Sequence, residues 1–379
     1  IITASWECTG LNKRIATAFL NLVGTSVRAQ VMFWFLLSTA LSTILPNLVV
    51  AATISPIAMS MLKYVGEGDI ANSKAGSMVV MSVAWGAGLG GMATPIGSAS
   101  NLVVIEYLEQ VSGREYMYID WVVRFAPIML TLLVTCTVYV FLISPKNATL
   151  AGSKECLAKV RADMGRMSRD EALCFTVFLV AVGLAFTRSL YAELLPGLAP
   201  AYSFAACAIV LFLIPGKESK RIVNWKKVES EVDWGLLYMF GGALSLGNML
   251  TGTGADVAIG TLISNTGVSS TLGLVFIIVT FTLVMSDLTS NGATASMCLP
   301  ITMAIATALG ANATPLLYIT AIGINLSFTM PTSIRAIPVG YGLKPSFMAK
   351  KGIVLSAIII AEMTFLGWAL IEFWPAFSL

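Results

Sequence analysis

Long apolar runs separated by short polar connections dominate this chain. Crossing about 30 Å of hydrocarbon takes roughly 20 apolar residues in a helix. The windows 120–145, 172–190, 201–215, 234–250 and 352–375 are apolar runs of that order and read as spanning helices. Two further apolar segments, 31–63 and 270–311, are broken in the middle, by Pro46-Asn47 in the first and by Ser290-Asn291-Gly292 in the second. A second interruption follows each of them, at Ala93 to Asn101 and at Thr329 to Pro338, where proline and small polar residues cut an apolar run. Helix ends at such breaks leave N–H and C=O groups unpaired, which is tolerated at membrane depth only where protein or a watery cavity surrounds them.

Composition agrees with a chain whose main solvent is lipid. Hydrophobic residues make up 57% and charged residues 11%, whereas ordinary soluble domains are near a quarter charged. The net charge of +3 is scattered, so no nucleic-acid partner is expected. The chain has no His, which removes the usual zinc ligand and the commonest proton shuttle. Cys8, Cys136, Cys156, Cys174, Cys207 and Cys298 are isolated, without CxxC spacing, and read as buried thiols. No pair of catalytic residues converges, so an enzyme is not expected.

Lys and Arg stay on the cytoplasmic side of a membrane. Nineteen of the 23 basic residues fall on one side, and Arg335 lies within an apolar stretch, only if 31–63 and 270–311 each enter and leave on the same face. Both segments are therefore expected to be re-entrant hairpins dipping in from opposite sides, with the C-terminus on the non-cytoplasmic side.

The chain also resembles itself. An offset of 244 residues pairs Thr9-Gly10 with Thr253-Gly254, Asn47 with Asn291, Ala51 with Ala295, Pro56 with Pro300 and Met59 with Met303. The later breaks align at 236, with Pro95 opposite Pro331. Inverted repeats with interrupted helices point to a midplane binding site in secondary transporters, with helix N-termini suited to anions and freed carbonyls to cations. The second half has two or three spans before its Thr-Gly where the first has none, which leads us to expect roughly 70 to 100 residues, two or three helices, ahead of Ile1.

Ser290-Asn291-Gly292-Ala293-Thr294-Ala295 followed by Leu299-Pro300, Gly97-Ser98-Ala99-Ser100-Asn101, and Val232-Asp233-Trp234-Gly235 with Phe240-Gly241-Gly242 together resemble motifs of the divalent anion/sodium symporter family. Its members carry dicarboxylates, citrate or sulfate. The resemblance implies an all-α, dimeric membrane protein working by an elevator motion, in which hairpin tips and loops hold the substrate and two sodium ions. Carried over by position, it implies one sodium site at Ser42, Pro46, Asn47 and Gly97 and another at Asp287, Asn291 and Ser333. Asn47, Leu48, Ser98, Ser100, Asn101, Ser290, Asn291, Gly292, Ile334 and Arg335 would line the substrate. The chain departs from the family at Pro46-Asn47-Leu48, which replaces Ser-Asn-Thr, and at Arg335 and Ile337, where proline and asparagine are common. Arginine offers no oxygen to a cation, so sodium-independent exchange is the expectation drawn from these departures.

The expected layout is an arm helix over 1–30, a first transport-domain part over 31–145, a cytoplasmic connection over 146–169, scaffold helices with a second arm over 170–266, and a second transport-domain part over 267–379. The expected partners are a small carboxylate-type anion, membrane lipid and a second copy of the chain, and the expected cofactors are none beyond sodium. A sodium-coupled dicarboxylate or sulfate symporter and an anion channel are the alternatives. Arg335 is read either as a substrate or cation-site group or as the structural partner of Asp287. Asn47 and Asn291 are read as N-caps, a role Asn favours. Gly86, Gly88, Gly90 and Gly91 are read as helix packing, and Trp121, Trp234, Trp368 and Trp374 as interfacial belt residues.

Overall fold

The computed structural model describes residues 1–19, 24–146, 148–216, 221–232, 234–255, 258 and 270–378. Fifteen principal helices carry the described fold: α1 (Ile2–Thr9), α2 (Leu11–Ala18), α3 (Val27–Ser42), α4 (Asn47–Tyr64), α5 (Lys74–Gly90), α6 (Ala99–Ser112), α7 (Tyr118–Ile143), α8 (Ser153–Asp163), α9 (Arg169–Phe186), α10 (Pro200–Leu213), α11 (Gly235–Thr253), α12 (Thr271–Leu288), α13 (Asn291–Leu309), α14 (Ala313–Asn325) and α15 (Pro345–Phe373). Among the described residues there is no strand, only the isolated bridges Ser26–Thr149 and Pro215–Arg221. By length and apolarity, α4, α7, α12, α13 and α15 could each cross a membrane.

Local chemistry sets where these helices begin. Ser26, Ser73, Ser270 and Ser290 each accept a backbone N–H of the first turn, from Ala29, Gly76, Gly273 and Ala293. Ser168 and Glu171 form a reciprocal capping box at the start of α9, which satisfies two donors that the helix end leaves open. The Thr-Gly pairs of the repeat act as stops: α1 ends at Thr9 and α11 at Thr253, and the glycines after them take φ of +83° and +72°. Only glycine adopts that left-handed conformation without a steric cost.

Packing follows one scheme twice. The first helix of the first hairpin, α3, packs chiefly against α5, as α12 packs against α14; α4 lies on α5 as α13 lies on α14; α3 touches α7 as α12 touches α15. Across the halves, α6 packs on α13 and α14, while the turn Ser333–Arg335 and the short helix Ala336–Gly340 pack on α4 and α5. The interruptions therefore lie at the centre, wrapped by helices of the opposite half.

At the periphery, α1 and α10 pack on α9. Arg14 bonds the Glu171 carboxylate at 2.9 Å, and Arg188 grips Glu115 through Nε and a terminal nitrogen at 2.8 Å each. The connection 146–169 contains the helix α8, whose Cys156 and Leu157 are buried. Two expectations are corrected here, for a tryptophan and for a cysteine. Trp121 is fully buried rather than interfacial: it stacks on Phe125 at 4.3 Å and donates its indole N–H to Met92 O at 2.9 Å. Five of the cysteines are buried as expected, but Cys8, read as a buried thiol, is exposed near the end of α1. Asp233 and most of the expected second arm lie outside the described residues.

Candidate functional site

The first hairpin tip is hydrogen-bonded to the first break, and Asn101 carries the link on to the end of α14. At the first hairpin tip, α3 ends at Ser42 and α4 starts at Asn47. Ser42 Oγ donates to Ala87 O at 2.7 Å, Thr94 Oγ1 donates to Thr43 O at 2.7 Å, and Asn47 N donates to Gly97 O at 2.8 Å. The tip is thus stitched to α5 through Ala87 and to the first break through Thr94 and Gly97, where Asn47 N is a helix-start donor that would otherwise be unpaired. Ser42, Asn47 and Gly97, three of the four positions implied for a sodium site, fall in this cluster. Pro46 sits beside Asn47 as the residue before α4.

Asn101 closes the same break from the start of α6. Its Nδ2 donates to Gly91 O and Thr94 O, both at 2.8 Å, and its Oδ1 accepts from Asn325 Nδ2 at 2.8 Å. The amide is fully committed inside the protein and joins the first break to the end of α14, where the second break begins. Ser98 and Ser100 are buried with their hydroxyls 2.8 Å apart.

The second break is held by charged groups. Asp287 Oδ1 accepts from Phe328 N at 3.0 Å and Thr329 N at 2.9 Å, and Thr332 Oγ1 donates to Asp287 O at 3.1 Å. Ser286 Oγ donates to Ile324 O at 2.6 Å and lies 3.2 Å from Ser327 Oγ. Arg335, 1% exposed, donates to Met330 O at 3.2 Å, Ser327 O at 3.1 Å, Ser286 O at 3.3 Å and Thr332 Oγ1 at 2.9 Å. Among the described residues it makes no ion pair with Asp287, so the structural pair, one of the two alternatives for Arg335, does not form. Ser333, exposed, is the one non-glycine residue with positive φ among those described, +51°, a conformation that costs an L-residue energy. Ile334 is buried against α5 near Gly88.

At the second tip the N-cap is Ser290, with Asn291 as the first helical residue; at the first tip it is Pro46, ahead of Asn47. Neither Asn is the cap that the sequence suggested. Asn291 is 5% exposed, and neither its Oδ1 nor its Nδ2 has a hydrogen-bond partner. Leaving a buried amide unpaired costs about 1–3 kcal/mol, and native interiors rarely accept that without a ligand or water to complete it. Gly292 is half-buried beside it and Leu48, at the other tip, is 54% exposed.

The structure thus joins Ser42, Asn47, Gly97 and Asn101 at one break, and Asp287 and Arg335 at the other, with Asn291 next to the second tip. Sequence reasoning missed Thr94, Ser286, Asn325 and Ser327. All four are buried polar residues within apolar surroundings, and that contrast was the available signal.

Five helices apolar enough to cross a bilayer, with broken helices gathered inside, define a multi-pass, all-helical membrane protein. The chain belongs to the citrate transporter family, whose model matches residues 1–323, and this agrees with the motif resemblance to divalent anion/sodium symporters. The sodium-dependent dicarboxylate transporter SdcS of Staphylococcus saprophyticus is 27% identical over 390 residues, covering 96% of this chain and 74% of that protein. The protein of the same name from Staphylococcus aureus is 27% identical over 381 residues, covering 95% and 73%. The chain is accordingly a secondary carboxylate transporter by family.

Proposed function

We propose that this protein moves a small dicarboxylate across the membrane together with sodium, by alternating access. The observation that carries the reading is Asn291, a buried amide with both polar atoms unpaired at the start of a helix. A carboxylate oxygen would accept from its Nδ2, and the N-terminal N–H groups of α13 would add a partial positive charge. Asn47, at the corresponding place on α4, would meet the other end of the same substrate. In this reading Leu48, Ser98, Ser100, Ser290, Gly292 and Ile334 would line the substrate, and Asn101 would brace the first break that carries part of that lining.

Sodium coupling is adopted over the sodium-independent exchange expected from Arg335, because the relatives are named as sodium-dependent. The cluster of Ser42, Pro46, Asn47 and Gly97 would hold one ion through main-chain and side-chain oxygens. The duplicated packing scheme supports an inverted repeat with two re-entrant hairpins, and we infer that the hairpins and breaks move as one body against α9–α11. A homodimer embedded in lipid, with its C-terminus outside the cytoplasm, completes the proposal; exposed Leu179, Val180, Ile209 and Leu213 on α9 and α10 suit either lipid or a second copy.

Uptake of labelled succinate, 2-oxoglutarate, citrate and sulfate into proteoliposomes, with sodium or choline outside, tests this directly. Concentrative succinate uptake driven by a sodium gradient is expected. Uptake that needs internal anion but ignores sodium would replace symport by exchange, and flux indifferent to anion on the far side would indicate a channel.

A further inference from the structure

Of the two breaks, only the second brings a charged donor to its carbonyls, beside the neutral hydroxyls of Ser286 and Thr332. At the first, every donor just described is neutral: a serine, a threonine, an asparagine amide and a backbone N–H. At the second, the carbonyls of Ser286, Ser327 and Met330 and the hydroxyl of Thr332 converge on one guanidinium. Three main-chain carbonyls, a hydroxyl and a carboxylate close by are the ligands that a hard monovalent cation takes at an unwound transporter helix. We propose that Arg335 is a tethered cation: its guanidinium fills the second cation site of this transporter permanently, so that each cycle carries one soluble cation fewer than two such sites would take. The inference rests on the sodium-coupled reading for its transport consequence, but not for its binding consequence.

Burial and charge support the assignment. A guanidinium at membrane depth is costly unless paired or facing a cavity, and Arg335 is 1% exposed with four of its N–H donors committed. A group so enclosed cannot also reach out to a substrate carboxylate. Asp287, fixed by Phe328 N and Thr329 N in the same break, supplies the compensating negative charge without touching it. The break is therefore electrically neutral with Arg335 in place, and would be equally neutral with Asp287 and a bound sodium ion. The chain tethers in one position what a soluble ion would otherwise supply.

Removing the guanidinium should expose that site. In detergent-purified full-length chain, Arg335→Ala and Arg335→Gln are expected to show a steeper rise of Tm with sodium than wild type, at ionic strength held constant with choline. Added guanidinium ion should stabilise Arg335→Ala as well. Placing Asp287→Asn on top of Arg335→Ala should cancel the gained sodium response. In proteoliposomes, Arg335→Ala should need more sodium than wild type and move one more positive charge per succinate. A sodium response unchanged from wild type in folded Arg335→Ala overturns the proposal. So does failure of both variants to fold even when extracted in high sodium, since a cation site would have been refilled. Because the Tm measurement needs no transported solute, wild-type protein that takes up no dicarboxylate would defeat the proposed function while leaving this assignment standing.

Discussion

Asn291 and Asn101 are both buried amides near a helix break, yet they are expected to respond oppositely to replacement. Asn101 makes three hydrogen bonds, two of them to carbonyls at the first break. Asn101→Ala would strand Gly91 O and take one bond each from Thr94 O and Asn325, which keep Gly97 N and Ala321 O, a loss of about 1–3 kcal/mol for the group left buried and unpaired, read as a fall in Tm. Asn291 makes none with its side chain, so Asn291→Ala should leave Tm unchanged or raise it while succinate uptake falls at least about tenfold, the equivalent of about 1.4 kcal/mol of lost recognition. Equal losses of stability and uptake for both variants would remove Asn291 from the substrate site. The sequence showed that these residues matter, since each lies where an apolar run is interrupted. It could not show which amide is spent internally, because that depends on partners more than 200 positions away, as with Asn325 for Asn101. Arg335 was legible for the same reason as an outlier of depth, but its partners are carbonyls, which every residue carries and no sequence distinguishes.

At the scale of elements, the breaks were the most legible feature and the caps the least. Pro46 and Ser290-Asn291-Gly292 announced both tips, since proline and glycine end helices for reasons internal to the residue. The assignment of the caps slipped by one position because Ser290 and Asn291 both favour that role, and only backbone angles decide between them. Glycines on α5 were read as packing positions, and the contact between α3 and α5 bears this out. A Cβ on Gly90 would collide with Thr39 O and approach the Ser42 side chain at 2.8 Å. Gly90→Ala must therefore push α3 away from α5, at a cost of about 1–3 kcal/mol for overpacking. Since Ser42 also bonds Ala87 O, the displacement reaches the first tip. The expected result is lower Tm together with weakened sodium activation of uptake, measured as a higher half-saturating sodium concentration; loss of stability with sodium affinity intact would show the tip to be independent of this packing.

At the scale of the whole molecule, the ties to α9 decide how the body could move. Arg14 joins α2 to Glu171 at one end of α9, and Arg188 joins Glu115 to the segment just beyond its other end. Arg188 is 1% exposed and its bond to Glu115 is bidentate, a geometry stronger than a surface ion pair. If the moving body spans 31–145 and the scaffold begins at 170, this pair crosses the sliding boundary and has to open in each cycle, at an energetic cost that slows transport. Replacing both residues by cysteine and bridging them with a bis-maleimide should then arrest succinate uptake, whereas the uncrosslinked double variant, freed of the ion pair, should transport at least as fast as wild type. Full uptake after complete crosslinking would mean that the stretch Gly113 to Met117 travels with α9, and that the boundary falls later, within or beyond α7. The mixed apolar character of α7, with Leu130, Val134 and Val138 exposed and Ile128, Leu132 and Cys136 buried, is compatible with a helix whose one face is fixed to α3 and α15 and whose other face slides. The crosslink therefore locates the boundary that hydrophobic patterning alone leaves open, because a sliding face and a lipid-facing one are equally apolar.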